Sequence, residues 1–154
     1  KLHVTQSSEY THVLMFLDLD GFKQVNDRAG HDAGDAMLRK VTEALQSATR
    51  HGDCIARIGG DEFVILAWDC GLENGLQIAA AVQRAITASS IEWNGASYSV
   101  GVSIGVSEII ATSSMSIDDM LRQADAACYA AKHAGRNTVR VCAPDCVSVS
   151  SERP

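Results

Sequence analysis

The chain has 154 residues, enough for one domain with one substantial core and too few for two full-sized ones. Hydrophobic residues make up 46% and charged residues 21%, and the formal net charge of -6 argues against a nonspecific DNA or RNA binder, which needs a basic surface. A polyphosphate ligand stays admissible, because divalent cations held by carboxylates invert the local field.

Both prolines, Pro144 and Pro154, fall in the final stretch, so no proline linker divides the body. No signal peptide or apolar run of membrane length is present. Residues 12–19, HVLMFLDL, form a nearly continuous apolar run that meets Asp18, Asp20 and Gly21, the pattern of a central strand with charge at its carboxyl end. Met37, Val41, Leu45 and Ala48 recur at helical spacing and predict a helix over 33–49. CIARI (54–58) and FVILAW (63–68) read as two short strands joined at Gly59-Gly60-Asp61-Glu62 in a tight hairpin. Leu76, Ala79, Val82 and Ile86 predict a second helix over 73–88.

Asn94-Gly95 then signals another hairpin. After it, Tyr98, Val100, Val102, Ile104 and Val106 alternate with serines and glycines, giving a strand with one bulky face and one small enough for a helix or ligand to approach closely. Ser116 and Asp119 resemble a capping box opening a helix that runs through Met120, Ala124, Cys128 and Ala131 until Gly135 stops it. Val139–Val141 reads as a last edge strand, and VSVSSERP as a frayed polar tail. Strands and helices interleave with at least two hairpins, so an α/β (α+β) fold with a mixed sheet covered by helices is expected. The five cysteines lack framework spacing and read as free thiols, with Cys128 a small buried hydrophobe. Cys142 and Cys146, in the tail, have spacing that leaves a metal or disulfide role open.

Asp18 and Asp20 are two apart on a strand and leave on one face. If the hairpin bearing Asp61 and Glu62 pairs beside that strand, three or four carboxylates converge, an arrangement that calls for Mg²⁺ and a phosphate ligand. Residue types alone also fit solvated turn acids. Lys23 lies just past the strand. Lys132 and Arg136 are four apart and share a face of the closing helix, either as cations for triphosphate oxygens or as favourable charges at a helix C-terminus. Asn26 and Asp35 offer an amide and a carboxylate suited to a guanine edge, and equally suited to a turn and a helix start.

Three blocks, FLDLDGFKQVNDRAGHDAGD (16–35), RIGGDEF (57–63) and CYAAKHAGRN (128–137), resemble the GGDEF family in order and separation, over about residues 12–141. The resemblance implies the palm-type nucleotidyl cyclase fold, a five-stranded mixed central sheet flanked by helices. It implies a diguanylate cyclase that condenses two GTP into cyclic di-GMP and two pyrophosphates, using Mg²⁺ or Mn²⁺ in a homodimer. Asp18 and the Leu19 carbonyl resemble the metal ligands, joined by Asp61, which is also the family's catalytic base. Glu62 would organise metal or phosphate, and Lys23 would stabilise the transferring phosphate. Gly59 and Gly60 would let the turn approach the triphosphate, with Lys132 and Arg136 as its clamp. Asn26, His31 and Asp35 match the family's substrate positions.

Arg50-His51-Gly52-Asp53 is an RxxD sequence at the family's offset before GGDEF, and resembles its inhibitory site for product, with Arg50 and Asp53 as the binding pair. The chain starts too late for the family's D-x-L-T-x-L-x-N-R segment. Residues 1–11 therefore read as a partial lead-in, 12–141 as the GGDEF domain and 142–154 as tail or linker start. The expected setting is a cytoplasmic signal-transduction domain, with sensor or phosphodiesterase neighbours in a parent chain whose membrane anchoring is left open. The alternative is a catalytically weak GGDEF module that binds GTP or cyclic di-GMP and regulates an attached domain.

Overall fold

The computed structural model describes residues 10–111 and 114–142. The elements run β1 (Thr11–Asp20), α1 (Phe22–Ala29), α2 (His31–Ala48), β2 (Cys54–Arg57), β3 (Glu62–Ala67), α3 (Leu72–Thr87), β4 (Ser90–Trp93), β5 (Ala96–Ser99), β6 (Gly101–Ile110), α4 (Ile117–His133) and β7 (Val139–Val141). Five strands form one sheet in the order β2-β3-β1-β6-β7, and β4-β5 form a separate two-stranded ribbon. All neighbours in the large sheet are antiparallel except β6 and β7, so the sheet is mixed as expected.

The central place of β1 follows from its sequence, because a strand buried on both faces must be apolar at both parities. Val13, Met15, Leu17 and Leu19 join the larger core with Val25 of α1, Met37, Val41 and Leu45 of α2, and Val82 and Ile86 of α3. Leu14 and Phe16 point the other way and pack with Ala124 and Cys128 of α4. Continuing that second parity along β1 brings Asp18 and Asp20 to the α4 side. Pattern and sheet order together therefore set which helix the carboxylates meet.

β6 shows why α4 can lie so close. Val102, Ile104 and Val106 enter the larger core, while Ser103, Gly105 and Ser107 take the opposite parity. A Cβ on Gly105 would collide with the Ala124 carbonyl and the Cys128 amide of α4. Cys128 Sγ donates to the Ser103 carbonyl at 3.2 Å, and burial pushes its thiol up to about 12, so it is inert packing. Ser116 Oγ accepts from the Asp119 N–H at 3.1 Å, the expected cap of α4. Asn94 and Gly95 hold φ of 48° and 81°, the two positive values that a two-residue hairpin requires.

Three expectations change. Residues 22–29 form a helix that the sequence reading lacks, so Asn26 lies in a helix and not in a turn, while Lys23 does follow the β1 strand. The long alternating strand divides at Val100, its first part pairing with β4 and its second with β1. Arg136 does not share a face of the closing helix with Lys132, because α4 ends at His133 and Arg136 sits beyond its cap at φ 63°. The tail beyond Cys142, Cys146 within it, and most of the lead-in lie outside the described residues. Cys54, Cys70 and Cys128 are free thiols.

Candidate active site

The carboxyl end of β1 and the β2–β3 turn are brought side by side by antiparallel pairing, with Asp18 opposite Glu62. One step further, the Leu19 N–H donates to the Asp61 carbonyl at 3.0 Å. N–H and C=O of one strand residue point to the same side, so the Leu19 carbonyl also faces the Asp61 turn. Gly59 packs tightly here, since a Cβ would approach Glu62 Oε2 to 2.8 Å. Arg57 braces the turn by donating from Nε to the Gly59 carbonyl at 3.0 Å and from Nη2 to the Gly60 carbonyl at 3.0 Å.

A cleft of ≈ 500 Å³ opens beside this turn, with walls that include Leu19, Asp20, Lys23, Asp61, Lys132 and Arg136. Gly21, at φ 82°, lets β1 turn directly into α1. The first turn of α1 (Phe22, Lys23 and Gln24) also lines the cleft, and its N–H groups have no partner within the helix. A helix start of this kind favours anions. The sequence did carry a signal for α1: Phe22, Val25 and Ala29 are spaced by three and four between Gly21 and Gly30.

Lys132 reaches from α4 to both β1 carboxylates, its Nζ 3.0 Å from Asp18 Oδ1 and 3.5 Å from Asp20 Oδ1. Both carboxylates and the lysine are largely buried. Burial raises the Asp18 carboxyl above its ordinary value, the charges of Asp61 and Asp20 add to the rise, and Lys132 opposes without cancelling them. For Lys132, burial works downward, but the hydrogen bonds and charges of Asp18 and Asp20 outweigh it and hold the ammonium up. The two partners thus shift the same way. We read this as a charged lysine shared between two acids, which leaves the burial of Asp18 uncompensated.

The guanine-reading candidates are not walls of this cleft. Asp35, exposed on α2, lines a neighbouring pocket of ≈ 250 Å³ with Leu38, Arg39, Thr42 and Arg57. Asn26 folds over Gly34, where a Cβ would strike its Oδ1, so the short α1–α2 connection brings the two substrate positions of the sequence block near each other. His31 is exposed at the start of α2.

Arg50 and Asp53 meet in the turn between α2 and β2. Arg50 Nη2 donates to Asp53 Oδ1 at 2.8 Å, and the Arg50 backbone N–H donates to Oδ2 at 3.0 Å. Burial presses the Asp53 carboxyl upward, but the Arg50 side chain and backbone overcome it and hold the carboxyl below its ordinary value. Arg50 Nη2 also donates to the Trp68 carbonyl at 2.8 Å. A pocket of ≈ 610 Å³ lies beside the pair, lined also by Gln46, Thr49, His51 and Ile55.

Among the described residues no group of three or more His, Cys, Asp or Glu is arranged to hold a metal by itself. The Asp18 carboxylate feels the charge of Asp61, and the Leu19 carbonyl lies beside the Asp61 turn; all three offer hard oxygens. They suit a cation that completes its shell with water and phosphate. No described helix is long and apolar enough to cross a membrane.

Residues 1–138 match the family model described as "Diguanylate cyclase, GGDEF domain". The probable diguanylate cyclase DgcE of Escherichia coli K12 is 41% identical over 152 residues, covering 99% of this chain and 14% of that protein. The fold is similar to that of the isolated GGDEF domain of TpbB (YfiN) from Pseudomonas aeruginosa, with TM-score 0.83 and 29% identity over 93% of this chain and 83% of that one. It is also similar to the GGDEF domain of DgcB from Caulobacter crescentus in complex with c-di-GMP, with TM-score 0.80 and 27% identity over 86% of this chain and 78% of that one.

Proposed function

The chain belongs to the GGDEF domain family of diguanylate cyclases, and from that membership we propose that it condenses two GTP into cyclic di-GMP with release of two pyrophosphates. The carrying observation is the cleft where Asp61 and Asp20 stand against Lys23, Lys132 and Arg136, with Asp18 behind it paired to Lys132. Acids alone would suit a cation and bases alone an anion; both lining one cleft suit a metal-bound triphosphate. Family membership implies a divalent metal, and we assign Mg²⁺, with Mn²⁺ as substitute, to Asp18, Asp61 and the Leu19 carbonyl. When bound, it supplies charge stabilisation at the α-phosphate and lowers the pKa of the attacking hydroxyl.

Each copy holds one GTP, and two copies meet face to face so that the 3′-hydroxyl of one nucleotide attacks the α-phosphate of the other. The new bond is 3′-oxygen to phosphorus, and the bond to pyrophosphate breaks. Asp61 takes or relays the hydroxyl proton, and repetition closes the ring. Lys23 opposes the charge that grows on the transferring phosphate. Lys132 and Arg136 grip the outer phosphates, Glu62 helps to organise metal or phosphate, and Gly59 and Gly60 let backbone approach. Asn26 and Asp35 read guanine, with His31 beside them. Dimerisation supplies alignment, because half of the reacting atoms lie on the partner.

We assign Arg50 and Asp53, beside their own pocket, to product binding, because their RxxD sequence lies at the family's offset before GGDEF. The chain spans only 14% of DgcE, and we assign it a place in a longer cytoplasmic signalling protein with sensor or phosphodiesterase domains. Residues 12–141 would be the catalytic unit and 142–154 the start of a linker.

Conversion of GTP to cyclic di-GMP and pyrophosphate with Mg²⁺, followed over a wide range of protein concentration, tests the reading. A rate per monomer that climbs with concentration is the expected result. GTP binding with no product at any concentration would instead favour a regulatory module.

A further inference from the structure

Arg136 lines the cleft, yet the backbone that carries it is unusual. Gly135, Arg136 and Asn137 take successive positive φ values of 105°, 63° and 45°. The first is accounted for by the end of α4, where the Arg136 N–H donates to the Ala131 carbonyl at 3.1 Å and the glycine serves as the left-handed cap. Two further left-handed residues, neither of them glycine, persist only where surrounding contacts over-determine them.

Those contacts are present. The Asn137 N–H donates to Asp20 Oδ2 at 2.9 Å. Its side-chain Oδ1 accepts from Thr87 Oγ1 at 3.2 Å and from the Val102 N–H at 3.5 Å, and its carbonyl accepts from Gln83 Nε2 at 2.5 Å. Asn137 thereby ties the segment to β1, α3 and β6 at once. Asp20, with a side chain only 9% exposed, is itself fixed by Ser103 Oγ, which donates to its two oxygens at 2.9 and 3.0 Å. Ser103 is fully buried on β6. Its hydroxyl thus anchors a carboxylate whose remaining donors are Lys132 and the Asn137 amide.

We propose that Asp20 and Asn137 form a latch that holds the left-handed segment and so aims Arg136 into the cleft, making both positioning residues for the triphosphate clamp. Asp20 thereby has a different task from Asp18 two residues earlier: its oxygens are engaged by Ser103, Lys132 and the Asn137 N–H, while Asp18 pairs with Lys132. The inference rests on the triphosphate reading of the cleft.

Equilibrium binding of GTP and of GMP, with Mg²⁺, tests it in the whole chain. Arg136→Ala and Asn137→Ala should each weaken GTP about tenfold while leaving GMP within about twofold, because only the outer phosphates reach the clamp. The double variant should be no weaker than either single one, since both changes remove the same grip. Asn137→Gly accepts positive φ without strain and lacks the side-chain bonds to Thr87 and Val102, but keeps the backbone bonds to Asp20 and Gln83. Asp20→Ala, which removes the acceptor of the Asn137 N–H, is therefore measured beside it, and both should match Asn137→Ala; the glycine variant also covers the case in which the alanine variant fails to fold. Parental GTP-to-GMP preference in both Asn137→Gly and Asp20→Ala, or additive losses in the double variant, overturns the latch alone. A parent chain that binds GTP no better than GMP overturns the latch together with the clamp on which it rests.

Discussion

Two acid–base pairs in this protein look alike on paper and behave oppositely. Asp18 is paired with Lys132 at 3.0 Å and Asp53 with Arg50 at 2.8 Å, yet the Asp18 carboxyl is held above its ordinary value and the Asp53 carboxyl below. Burial presses both upward. Asp53 wins because its partner approaches from two sides, guanidinium and backbone N–H, in one short turn, and the Trp68 backbone adds a further hydrogen bond. Asp18 loses because Lys132 is divided with Asp20, and Asp61 adds repulsion. A local pair can be optimised for its own stability. A pair assembled at a site stays frustrated until something else arrives, and that is the property a cation-binding and phosphate-binding cleft needs.

The largest expected effect is chemical. Asp61→Asn should lower cyclic di-GMP formation by at least about a hundredfold, the low end for loss of a positioned base, while circular dichroism and Tm stay near those of the parent. Synthesis within a few fold of the parent rate would remove Asp61 from the mechanism.

Next in size is the loss of the shared cation. Lys132→Met leaves Asp18 and Asp20 facing each other, and should destabilise the domain by about 2 kcal/mol in chelator, below the figure of about 3–5 for fully buried pairs because Lys132 is 27% exposed. Millimolar Mg²⁺ should recover more Tm in this variant than in the parent. Equal Mg²⁺ shifts in both would argue that the carboxylates do not hold the ion.

The smallest effects concern pH, and they carry opposite signs. A raised carboxyl in the folded state loses stability as pH climbs from its ordinary value through the folded one. Asp18→Asn, measured in chelator, should therefore be more stable than the parent near neutrality and converge with it in acid. A lowered carboxyl contributes stability above its ordinary value and loses it as pH falls through the folded one. Asp53→Asn should therefore be about 1–2 kcal/mol less stable near neutrality, with the gap closing in acid. Urea titrations at several pH values would read both. Parallel curves for the two variants would undo the contrast.

Much of this was written in the chain. The apolar run of β1, the glycine turn before β3, the Asn94-Gly95 hairpin and the small face of β6 all appear in the structure, because each depends on neighbours within a few residues. The helix α1 was passed over, since eight residues between two glycines look like a loop when Lys23 and Asn26 are weighed one at a time. The three sequence blocks were enough to identify the family, and their roles at the site are the proposals made above.

Sequence by itself determined which faces of β1 and β6 are apolar and where turns fall, because side-chain parity and backbone permission are local properties. Only the tertiary structure decided that Lys132 lands between Asp18 and Asp20, and that Asn137 is tied to Asp20 from 117 positions away. Those outcomes depend on sheet order and on how closely α4 can approach β6. Contacts between distant segments form only after the core has packed, so no window of sequence contains them.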